Sequence, residues 1–159
     1  TRRERVSKLT FAIIARVGSF VGSQIAIAFM ASIFVLILSF ALGLPSPFAI
    51  AMIVLVCGFI PLIGHYIGST IVTLIALTQS LLYGVIAFVA YIVYVQIENY
   101  VVTPRIMKRA LNVPGAVTII AALLGTSLLG LIGGLLAVPI AASIILILEE
   151  VVFPQTEKN

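Results

Sequence analysis

Apolar residues run along this chain in long blocks that only turn-forming residues interrupt. From Val17 to Ile97 there is no Lys, Arg, Asp or Glu at all. The first block, Val17–Leu42, exceeds the roughly 20 apolar residues that a helix needs to cross a bilayer. It stops at Gly43-Leu44-Pro45-Ser46-Pro47, a strong breaker. A second full-length block, Leu81–Val102, is expected to end at Thr103-Pro104. The region between, Phe48–Ser80, is as apolar but is broken by Pro61, Gly64 and Gly68. Each of its arms is about 13–15 residues, roughly 20 Å of helix against a hydrocarbon core of about 30 Å. Two full crossings are too long for it, so the pattern predicts a helical hairpin that dips into the bilayer and returns. Ala116–Val152 repeats the pattern around Gly125, Gly130, Gly133 and Gly134. Such backbone is tolerated at membrane depth where protein or a watery cavity covers it.

Charge orients these elements. Hydrophobic residues make up 62% of the 159 positions and charged ones 9%, against about 25% charged in ordinary soluble domains. Lipid is therefore the expected solvent. Arg2, Arg3, Arg5, Lys8 and Arg16 form a basic flank (1–16) before the first span. Arg105, Lys108 and Arg109 stand in a connector (103–115) after the second. Positive charge beside a span marks the cytoplasmic side, so both clusters face inward and are no nucleic-acid footprint. The expected fold is an all-α integral membrane protein with two spanning helices. Each span is followed by a re-entrant hairpin, and the two units have inverted orientation, with a tail at 153–159. Inverted units with broken helices meeting near the midplane are a recurrent transporter plan. The start at Thr1, within a basic stretch, suggests a fragment of a longer protein.

Few residues carry chemistry. His65 is the single histidine and lies in the tip motif Gly58-Phe59-Ile60-Pro61-Leu62-Ile63-Gly64-His65-Tyr66-Ile67-Gly68. Two readings stand open for it: a proton carrier, or a neutral side chain hydrogen-bonded at the tip. Gln96, Glu98 and Asn99 form the most polar patch within a span, and Tyr94, four residues before Glu98, shares its face. Glu98 either lines a substrate path or reaches the interface to pair with Arg105 or Lys108. One His and one Cys give no metal-ligand spacing. Without Asp no Ser-His-Asp set forms, and no phosphate-binding glycine loop is present. No cofactor and no enzymatic role are expected.

Phe59-Ile60-Pro61-Leu62-Ile63-Gly64, Gln96-Ile97-Glu98-Asn99, Pro104-Arg105-Ile106-Met107, then Pro114, Gly125, Gly130, Gly133 and Ala137-Val138-Pro139 occur in that order. Together they resemble the autoinducer-2 exporter family of membrane transporters, and Gln24 fits a Gly-Gln pair of that family, with Ser23 in the Gly place. Its members are about twice this length or more, so the chain looks like their C-terminal half. The resemblance implies a multi-pass transporter of a prokaryotic cytoplasmic membrane. It implies export of a small solute, autoinducer-2 in some members, or exchange of sodium or lithium for protons in others. It also implies a homo-oligomer, with a pentamer as one form. Departures stand at Tyr100, where an Asn or similar polar residue is common, and at Gly115, where an aliphatic is usual. His65 takes the place of a Pro or another small residue. The expected substrate-binding set is Pro61, Gly64, His65, Gly68, Gln96, Glu98, Asn99, Gly125 and Gly130. The competing classes are a passive oligomeric channel and a structural membrane protein without substrate.

Overall fold

The computed structural model describes residues 2–106 and 115–148. Helices dominate, and no strand occurs among the described residues. The chain forms two compact units, residues 23–106 and residues 1–22 with 107–159. Helix α1 (Arg2–Ala41) contributes to both and continues back through the basic flank that precedes the apolar block.

Unit 23–106 holds α2 (Pro47–Gly58), α3 (Ile63–Leu77) and α4 (Leu81–Ile97). Helix α2 starts on Pro47, whose missing N–H costs nothing in a first turn. Helix α4 starts on Ser80, whose side chain accepts from the Tyr83 N–H at 3.1 Å. Contacts run antiparallel throughout. On α1, Gln24 and Ala28 meet Gly58, and Ser32 meets Ala51. On α3, Gly68 meets both Val54 of α2 and Tyr91 of α4. The chain therefore turns back at Pro61, as the broken pattern predicts. The core between these helices is Ala31, Val35, Val54, Val72, Ala76 and Tyr91, all essentially inaccessible.

Helix α4 does not stop at Thr103-Pro104. It passes through a π-helical turn, Glu98–Val102, into α5 (Thr103–Ile106). A proline inside an α-helix clashes with the carbonyl four residues earlier, here Tyr100. The wider turn just before Pro104 relieves that conflict, so the helix survives where the proline alone predicts an end.

In the other unit, α6 (Gly115–Ile147) is broken at Gly130, with φ 66° and ψ −145°. Only glycine adopts that conformation cheaply. Gly125 and Gly133, eight residues apart, lie backbone against backbone. The chain thus reverses at Gly130 into two arms of about 15 residues each, roughly 22 Å long. Phe20 packs on Val138 in this unit. Lys108, Arg109, Asn112, Pro114, Glu149 and Glu150, and the tail, lie outside the described residues.

By length and composition, Arg2–Ala41 and Leu81–Ile106 suffice to cross a membrane; Ala116–Ile147 is as apolar but folds back at Gly130, and α2 and α3 are shorter apolar helices.

Candidate functional site

The site lies where the α2–α3 hairpin tip meets α1 and the end of α4. Its backbone is irregular in a specific way. Leu62 has φ 64° and ψ −50°, and the Ile63 N–H bonds the Pro61 carbonyl at 2.7 Å. That is a γ-turn of the rare, strained hand. Pro61 and Gly64 are buried beside it. A Cβ on Gly64 would overlap the Cys57 carbonyl oxygen, so the reversal needs glycine there. From α1, the Gln24 side chain donates to the Gly58 carbonyl at 2.7 Å in a buried setting. That carbonyl ends α2 and would otherwise lack a partner inside lipid.

The first turn of α3 carries His65 inward, and the end of α4 brings Glu98 to meet it. His65 Nε2 and Glu98 Oε1 are 2.6 Å apart, with the side chains 9% and 2% exposed. The antiparallel α3–α4 packing creates this meeting, helped by Gly68. A Cβ at Gly68 would stand 2.8 Å from the Tyr91 hydroxyl. Tyr94, one turn before Glu98, lies beside its carboxylate. Phe34 stacks on Tyr94 with ring centroids 4.3 Å apart and meets Tyr91 edge-on. Among the described residues, His65 Nδ1 and the Tyr91 hydroxyl are buried without a hydrogen-bond partner in the protein.

Five expected residues, Pro61, Gly64, His65, Gly68 and Glu98, thus come together. Glu98 turns inward to His65, while Arg105 is exposed. Gln96 and Asn99 sit on exposed faces of the same helix, away from the pair. Gly125 and Gly130 belong to the other unit, where Gly125 supports the close approach of the arms and Gly130 makes the reversal. The set omits Gln24, Leu62, Tyr91 and Tyr94. A signal existed for the tyrosines, since Tyr91 and Tyr94 precede Glu98 by seven and four residues on one helical stripe. None existed for the strain at Leu62. Among the described residues no group of acidic, His and Cys side chains could hold a metal ion.

A family model described as AI-2E family transporter matches residues 1–153. The chain belongs to that family. Its relatives include YrrI of Bacillus subtilis (strain 168), whose name proposes a transport role. YrrI is 29% identical over 125 residues, covering 79% of this chain and 35% of YrrI. A Thermotoga maritima protein also named for transport is 32% identical over 124 residues, covering 76% of this chain and 37% of its own length. The chain spans about a third of the length of the curated relatives it matches. Within this AI-2E family chain, the hairpin tip, the Gln24 cap and Glu98 all fall in the matched region.

Proposed function

We propose that this chain forms the C-terminal part of a secondary transporter, exporting a small polar solute across a prokaryotic cytoplasmic membrane. The α2–α3 hairpin enters from outside and stops partway through the bilayer. One observation carries the reading: the strained tip, with Pro61 and Gly64 buried, brings His65 against Glu98, short of the basic end of the second span. Helices α2 and α3 have 12 and 15 residues, roughly 18 and 22 Å, too short for a core of about 30 Å. Glu98 precedes Arg105 by seven residues, about 10 Å of helix. If Arg105 marks the cytoplasmic interface, the tip stays inside the bilayer, where irregular backbone needs protein or a cavity. The reversal at Gly130 supports a second re-entrant hairpin. Pro61, Gly64, Gly68 and the His65–Glu98 pair would border the solute path, and Gln96 and Asn99 its cytoplasmic mouth.

Membership of the AI-2E family supports autoinducer-2 or a similar small hydroxylated molecule as the solute. Many large apolar side chains, such as Phe29, Ile37, Leu82 and Ile132, are exposed in the single chain. The lipid bilayer and the neighbouring copies of a homo-oligomer would cover them. The test is uptake of labelled autoinducer-2 into proteoliposomes of the full-length protein, with and without a pH gradient. Saturable flux driven by the gradient is expected. Absence of flux above empty vesicles rejects the reading, unsaturable conductance assigns a channel, and sodium or lithium flux instead assigns cation–proton exchange.

A further inference from the structure

Tyr91 carries a polar atom into the core of unit 23–106 and makes no use of it there. Its side chain is fully buried, and Phe34 of α1 meets its ring edge-on with centroids 6.0 Å apart. The hydroxyl faces Gly68 of α3. A Cβ on Gly68 would stand 2.8 Å from that oxygen and 3.6 Å from Val54 of α2, so three helices converge at this point. No hydrogen-bond partner in the protein reaches the hydroxyl. Three residues before Gly68 on the same helix face, Nδ1 of His65 is likewise buried without a partner. A phenylalanine at position 91 would present the same ring to Phe34 and bring no polar atom into an apolar interior. The hydroxyl therefore weakens the closed arrangement. It is useful only where a polar partner reaches it.

We propose that Tyr91 is a specificity-determining residue of this transporter, an inference resting on the secondary-transport reading. Its hydroxyl hydrogen-bonds a hydroxyl of the solute once the hairpin tip parts from α4. The strained turn at Leu62 lies three residues before His65, so displacement of the tip uncovers Nδ1 and the Tyr91 hydroxyl together. The two atoms flank one glycine, His65 from α3 and Tyr91 from α4, and suit two oxygens of one small molecule. A tyrosine hydroxyl both donates and accepts, which matches an alcohol in either sense. The surroundings favour an uncharged solute over a bare cation. Glu98 and Arg105 are the charged side chains of this unit. Arg105 is exposed, and the Glu98 carboxylate is engaged by His65 and Tyr94.

The experiment is equilibrium binding to the full-length protein in lipid nanodiscs, with autoinducer-2 and a set of analogues that each lack one hydroxyl. Tyr91→Phe is expected to weaken autoinducer-2 binding by about three- to tenfold, the worth of one neutral hydrogen bond. Wild type should lose a similar factor on the analogue without the contacted hydroxyl, and Tyr91→Phe should lose nothing further on that analogue. Tyr83→Phe, at the start of α4, should leave all these affinities unchanged. Without solute, the Tyr91→Phe protein should melt at the wild-type temperature or above it. The proposal is overturned if Tyr91→Phe binds every probe as wild type does, or if its loss adds to that of every analogue. It is also overturned if wild type binds none of the probes. A lower melting temperature or failure to fold overturns it too, since the hydroxyl would then serve the closed structure. Autoinducer-2 flux in proteoliposomes separates the two readings. Flux with a KM that Tyr91→Phe leaves unchanged sinks the role of Tyr91 and leaves transport standing. Tyr91-dependent binding without flux sinks the transport reading and upholds the recognition.

Discussion

Replacing His65 by leucine isolates what the buried pair contributes to stability. Glu98 is 2% exposed and its Oε1 lies 2.6 Å from His65 Nε2. Stranding one member of a buried pair costs about 3–5 kcal/mol. His65→Leu should therefore destabilise by about 3–5 kcal/mol. Glu98→Leu leaves the imidazole with an unmade bond, about 1–2 kcal/mol. The double variant removes both polar groups and should lie within about 1 kcal/mol of wild type. The assay is reversible unfolding of the full-length protein and its three variants in mixed micelles of rising dodecyl sulfate content. If the single losses add in the double variant to within about 0.5 kcal/mol, the pair is not coupled and the reasoning fails. A coupling near 0.6 kcal/mol, typical of interhelical hydrogen bonds in membranes, would also refute it.

Gln24→Leu should destabilise by about 1–3 kcal/mol, by leaving the Gly58 carbonyl buried without its donor; the same unfolding series measures it. Leu62→Gly should raise stability by about 1 kcal/mol, because glycine relieves the positive φ at the tip. A loss of stability there would show that the leucine side chain matters more than its backbone strain. Gly68→Ala should lower the melting temperature because its Cβ would crowd the Tyr91 hydroxyl. Adding Tyr91→Phe removes that oxygen and should restore about 1 kcal/mol. An unrestored double variant would place the clash elsewhere.

The sequence by itself determined the solvent, the number of apolar blocks and where they break. The charge-free run from Val17 to Ile97 leaves no way to cover a water-exposed surface, and the breakers at Gly43–Pro47, Pro61 and Gly130 act locally through their own backbone preferences. The site was half legible. His65 and Glu98 each stood out as isolated polar residues in lipid-like surroundings, but their partnership did not. They are 33 positions apart in the chain, and only the antiparallel packing of α3 on α4 sets which residues face each other. Likewise Pro104 reads as a stop, and the π turn before it is a tertiary accommodation that no local rule supplies. The strain at Leu62 has the same origin: the turn must close between two helices whose separation is fixed by Ala28, Val54 and Tyr91, and the residue at its apex takes the conformation that this spacing demands.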